Sequence, residues 1–161
     1  MNSLDCAREL LSRGGADPNL LTPWGDSPLR AAIHTVDNHI IEYLELLIEY
    51  GARLDPQLLF APLSPRSRHG EVVTRFLLDR GIDPNITSIE WGTPLHHAIR
   101  SAKPVFVKML LDAGADPTAI SIGRRVGSET LMECAERIMF EDTRDQIMKL
   151  LREASAEAQS T

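Results

Sequence analysis

Cysteine is nearly absent: 161 residues carry only Cys6 and Cys134, close to opposite ends of the chain. That pair cannot form a disulfide framework, and isolated thiols suit a reducing intracellular compartment, cytoplasmic or nuclear. Aromatic residues are also sparse, at 5%, which argues against one large aromatic core. No apolar run approaches the ~18 residues that a membrane-crossing helix needs, and the Met-Asn-Ser-Leu-Asp start is not a signal peptide. Positive charge is in deficit, with a net charge of −6, so a nucleic-acid surface is not expected either. The chemical vocabulary of catalysis is missing too. The sequence holds no phosphate loop, no paired metal motif and no serine-centred elbow. It therefore names no catalytic residue, no metal ligand and no cofactor, and an enzyme is not the expectation.

What the chain does have is a repeat. Gly15-Ala16-Asp17-Pro18-Asn19, Gly51-Ala52-Arg53-Leu54-Asp55-Pro56, Gly81-Ile82-Asp83-Pro84-Asn85 and Gly114-Ala115-Asp116-Pro117 share a glycine followed by Asp-Pro. Their glycines are 36, 30 and 33 residues apart. A period near 33 marks a stacked repeat architecture, in which each unit buries its apolar face against its neighbours. Such stacks present an extended surface, which shifts the expected function from catalysis towards binding.

The unit from Thr93 to Pro117 shows the chemistry of the repeat. Thr93 suits a helix cap and Pro94 the first helical position, where its missing N–H costs nothing. Leu95, Ala98 and Ile99 fall on one helical face. Ala102-Lys103-Pro104 breaks the chain, and Phe106, Val107, Leu110 and Leu111 form the stripe of a second helix. Gly114 then stops it. The Thr93-Pro94-Leu95-His96-His97-Ala98 start and the run into Gly114-Ala115-Asp116 resemble the ankyrin repeat family. Gly25 to Ala52 forms a second unit with a longer interhelix segment. In the third, Val72 to Asp83 supplies a good second helix. Its first half, Asp55 to Pro62, lacks the family start, and Pro62 and Pro65 leave that helix short or broken. Thr130 to Ala135 begins a last unit, whose second helix, Gln146 to Leu151, follows a long connection from Phe140 to Asp145.

The resemblance implies an all-α ankyrin-repeat solenoid of stacked helix-turn-helix units. About four to five repeats fit the length, counting a half repeat at Leu4 to Leu11 and the degenerate third unit. Residues 1–153 are read as the repeat domain and 154–161 as a polar, disordered tail. Three readings of the half repeat stand: a short self-sufficient cap, an edge covered by another chain, or one slice of a longer array. The protein is accordingly either a monomer or a homodimer closed through its N-terminal edge.

In the ankyrin family the loop tips and inner helices form the usual partner face, which makes Trp24, Asp26, His34, Thr35, Glu90, Trp91, His97, Arg100 and Ser101 the partner-binding candidates. Trp24 and Trp91 each precede a helix start. Each is either a hot-spot anchor or a ring packed on the neighbouring loop. His96 belongs to the family's structural motif and braces the loop locally, while His97 faces away from it, since adjacent helix positions diverge by about 100°. Arg66, Arg68 and His69 make a basic spot that is either a dock for an acidic segment or a solvated loop, and Gly123-Arg124-Arg125 reads as a turn. Cys134 reads as a buried structural thiol. The leading function is a non-enzymatic module binding an unidentified protein partner; the alternative is a sensor or scaffold segment of a larger multidomain receptor or regulatory protein.

Overall fold

The computed structural model describes residues 3–34, 38–64, 67–123 and 127–158. Thr35 and the arginines Arg66, Arg124 and Arg125 lie outside the described residues. The chain runs α1 (Ser3–Ser12), α2 (Pro28–Ile33), α3 (Ile40–Glu49), a 3-10 helix (Pro56–Phe60) and α4 (Gly70–Asp79). It continues through α5 (Pro94–Arg100), α6 (Pro104–Asp112), β1 (Ile120–Gly123), β2 (Gly127–Thr130), α7 (Leu131–Glu136) and α8 (Glu141–Ala158).

Two rows of helices result. The inner row is α2, the 3-10 helix, α5 and α7; the outer row is α1, α3, α4, α6 and α8. Each inner helix starts on a side-chain cap: Ser27, Asp55, Thr93 and Thr130 each accept a backbone N–H two or three residues on. Thr130 adds a full capping box with Glu133, which replaces the missing proline of the last unit. Outer helices α3, α4 and α6 each end two residues before a left-handed glycine, Gly51, Gly81 and Gly114, as the repeated motif requires.

The core runs between the rows as one continuous cluster, from Leu29 and Leu44 through Leu59, Val73, Leu95 and Phe106 to Leu131 and Ile147. Two asparagines lock its register. Asn19 donates to the Gly51 carbonyl (2.9 Å) and accepts from Arg53 N–H (2.8 Å). Asn85 does the same to Gly114 (3.0 Å) and Asp116 (2.7 Å). Each carboxamide thus bonds the same two backbone groups of the next unit.

The structure departs from the sequence reading in three places. Among the described residues the fold is helical except for one antiparallel hairpin, with Ile120 opposite Thr130 and Ile122 opposite Ser128. The last outer helix starts at Glu141, where Glu141 and Asp142 complement the positive helix end, so no long connection spans Phe140 to Asp145. That helix also continues through Ala154–Ala158, across the boundary drawn at residue 153. The third unit agrees with the reading, because its inner element is short, a single 3-10 turn. It buries Leu58, Leu59 and Phe60 before the chain turns at Ala61 and Pro62.

Candidate functional site

The weak third unit opens a hollow on the inner face. Where a full inner helix would stand, the short 3-10 turn leaves a groove of ≈ 450 Å³ between α2 and α5. Its lining includes His34, Phe60, Glu90, Trp91 and His97, so four of the nine candidates come together there. Arg30 and Gln57 edge it and hold the units in line. Arg30 donates to the Gln57 carbonyl at 3.4 Å, and Gln57 Nε2 to the Thr87 carbonyl at 3.0 Å.

His97 is the pivot of the groove. Its ring lies 5.0 Å from that of Trp91 and 6.0 Å from that of Phe60, both tilted by about 50°. Burial, and secondly the charge of Arg100, pull its pKa down to about 4, so it is neutral at physiological pH. The groove wall is therefore an uncharged aromatic surface with Arg30 and Glu90 at its margins.

His96 has the opposite job. Its Nε2 donates to the Glu129 carbonyl (3.1 Å), and its Nδ1 accepts from the Thr93 hydroxyl (2.8 Å). That pair fixes the neutral tautomer, and burial lowers its pKa further. The bracing role expected for His96 is seen.

The other candidates are dispersed. Trp24 stands 87% exposed at the tip of the first loop, with Leu20 and Leu21 also exposed nearby. Asp26 closes that loop: its carbonyl accepts from Thr22 N–H (2.9 Å) and its N–H donates to Thr22 Oγ1 (3.1 Å). Ser101 donates to the Leu63 carbonyl across the unit junction (2.9 Å). Arg100 reaches back along α5 to the Trp91 carbonyl (2.7 Å) and to Glu129 (3.4 Å). Both side chains are thus engaged within the stack. Phe60 and Gln57 went unnoticed in the sequence because their segment has no repeat signature; the one available signal was the interruption itself.

Cys134 is buried and its thiol is pushed up to about 11, mainly by burial, which makes it a poor nucleophile at neutral pH. Among the described residues no three His, Cys, Asp or Glu side chains gather in a metal-holding group. None of the described helices is long and apolar enough to cross a membrane.

A family profile described as "Ankyrin repeats (many copies)" matches residues 68–111, which span α4, the second tryptophan loop, α5 and most of α6. These are ankyrin repeats. The ankyrin repeat protein FPV014 of Fowlpox virus (strain NVSL) is 32% identical over 113 residues, covering 66% of this chain and 24% of that protein. The crystal structure of the human ASB11 ankyrin repeat domain superposes with a TM-score of 0.70 at 22% identity, covering 91% of this chain and 63% of that one. The chain thus spans about a quarter of the curated relative's length, and the second likeness speaks for the ankyrin fold alone. Ankyrin repeats are in general protein–protein interaction modules.

Proposed function

We propose that the protein is a non-enzymatic adaptor that binds a segment of a partner protein in the inner-face groove. The observation that carries this reading is the convergence of His34, Phe60, Glu90, Trp91 and His97 on one hollow. Concave sites with an apolar floor and a few polar margins are the usual shape of ligand sites. Aromatic floors contribute large area at small entropic cost. Trp24 extends the same partner's contact to the loop tip.

Site-specific photocrosslinking tests the placement. Benzoylphenylalanine at His34 or Glu90 faces the groove, whereas at Glu71 or Lys108 it sits on the outer helices. The expected result is a discrete adduct from the first pair only, competed by excess unmodified protein. Equal adducts from both pairs would sink the reading.

A second reading, a scaffold segment of a larger regulatory protein, draws on the longer Fowlpox relative, of which this chain matches 24%. It is tested by whether the isolated chain captures the crosslinked partner with the same affinity as the protein carrying any flanking repeats.

A further inference from the structure

A second hollow, of ≈ 420 Å³, lies on the other side of α5, between the α5–α6 turn and the α7–α8 link. Its polar side is built from Arg100, Glu129 and Arg137, and its apolar side from Ala102, Ile138, Met139 and Phe140. We propose that this hollow binds a peptide segment of a partner protein that carries a carboxylate beside a bulky apolar side chain. The proposal goes beyond the groove described above and does not depend on it.

The repeat itself builds the charge. Arg100 and Arg137 each lie seven residues after the helix caps Thr93 and Thr130. At the ends of α5 and α7 both side chains point back along their helices, because helical Cα–Cβ bonds tilt towards the N-terminus. Both therefore arrive at Glu129, just before the second cap. Arg137 Nη1 lies 2.8 Å from one carboxylate oxygen and Arg100 Nη2 3.4 Å from the other. Glu129 is only 6% exposed, with both oxygens taken, so it does not offer itself to a cationic partner.

Two guanidiniums on one carboxylate leave one positive charge in the hollow. The Cys134 thiol on its floor does not cancel it, being protonated at neutral pH. The Arg137 side chain is 72% exposed, and among the described residues its ion pair is with Glu129. With that much exposure the rest of its planar N–H fork is accessible to solvent, a shape that suits a carboxylate better than a point cation would. Glu141 and Asp142 follow in α8 but do not line the hollow, and Glu141 is paired with Arg144 at 3.3 Å.

The apolar half is equally specific. Met139 and Phe140 are adjacent, and they are 93% and 73% exposed. Two large apolar side chains left in water beside an unspent charge mark a contact surface, whereas a single exposed apolar residue does not. The flexible thioether and the ring together form a jaw for a branched or aromatic side chain.

Fluorescence anisotropy on the whole chain tests the proposal. The probe is a fluorescein-labelled peptide with Glu-Leu-Phe at its centre, flanked by Gly-Ser on both sides and capped at both ends. One companion peptide carries Gln for Glu; another carries Ser-Ser for Leu-Phe. The expected result is saturable binding of the first peptide, about tenfold weaker for either companion. Arg137→Gln should lose about tenfold towards the Glu peptide and stop distinguishing Glu from Gln. Circular dichroism establishes that the variant is folded; should it unfold, Met139→Ser with Phe140→Ser carries the test, with binding expected to fall to the level of the Ser-Ser peptide. The proposal is overturned if the native chain binds none of the peptides. It is equally overturned if Glu and Gln peptides bind alike, or if Arg137→Gln keeps the preference.

Discussion

The first and second tryptophan loops begin with the same signature, Trp-Gly just ahead of a helix cap, and end in different places. Trp24 stands in solvent, whereas Trp91 lies against His97 and has its carbonyl held by Arg100. Both loops close on themselves through backbone bonds: Thr22 to Asp26 and Gly25 to Thr22 in one, Ser88 and Gly92 reciprocally in the other. The difference lies beneath them. The position four residues after the cap is His97 in the fourth unit but Ala31 in the second, and a methyl group cannot support an indole. A loop's fate is thus decided by the inner helix it overhangs and by the neighbour it meets, so one sequence signature yields both a free tip and the wall of a groove.

Glycine substitutions should separate the two loops most sharply. Gly25 and Gly92 both have left-handed backbones, φ +84° and +75°. A Cβ at Gly25 meets open space, while one at Gly92 runs into the side chain of Ser121 on β1. Gly25→Ala should therefore cost only the left-handed strain, about 1–2 kcal/mol. Gly92→Ala adds overpacking at the unit junction, for about 3–4 kcal/mol in all. Urea unfolding monitored by circular dichroism measures both, and equal losses would mean that the second loop does not bear on the hairpin.

The paired arginines come next. Arg30 meets Asp26 at 3.8 Å with both side chains well exposed, an arrangement worth at most about 0.5 kcal/mol. Removing Arg100 leaves the buried Glu129 carboxylate on Arg137 alone and frees the Trp91 carbonyl, so Arg100→Ala should cost about 2–3 kcal/mol. The same unfolding assay checks the contrast, and 0.5 M salt should shrink the Arg30 effect far more than the Arg100 effect.

Acid should find the second loop before the first. With a native pKa near 4 against 6.5 unfolded, His97 takes its proton in the unfolded chain first. Its contribution is complete above pH 6.5 and drains away as pH falls towards 4. The loss attributable to it is roughly 1–3 kcal/mol, the lower end allowing for solvent screening of a half-buried ring. His96, also lowered, acts in the same direction. Replacing His97 with Phe should flatten the fall in stability between pH 7 and 4.5 relative to the native chain; parallel curves would remove His97 from the account.

The contrast also marks how far the sequence could be read. Caps, glycine stops and the bond between His96 and Thr93 are local events, and the residues that carry them were visible at the expected spacing, whereas the His96 bond to the Glu129 carbonyl reaches the next unit. Asn19 and Asn85 were visible too, in the Asp-Pro-Asn of the motif, but their partners lie about one repeat away and only stacking brings them together. The hairpin at Ile120–Thr130 was missed because four-residue strands owe their pairing to contact with each other rather than to intrinsic preference. The start of α8 was missed although Glu141 and Asp142 are the residues that favour a helix N-terminus. The groove was the hardest part. Four of its lining residues were named as candidates, yet the hollow exists because the third inner element is short, and its wall depends on His97 and Phe60, 37 residues apart in sequence, meeting beside Trp91.

The smallest effect tests the comparison most directly. A side chain that touches little contributes little, so Trp24→Ser should change stability by no more than about 0.5 kcal/mol. Trp91→Ser strips the ring from His97 and should cost about 2 kcal/mol. With only two tryptophans in the chain, each single substitution also leaves a clean fluorescence reporter of the other. Trp24 alone should emit at the red limit and be quenched by acrylamide almost as freely as the free amino acid. Trp91 alone should emit further to the blue and be partly shielded, because the imidazole of His97 lies 5.0 Å from its ring. Added partner should then quench or shift both signals if one segment spans groove and tip. A response from Trp91 alone would confine binding to the groove and leave Trp24 as an exposed residue without a role there.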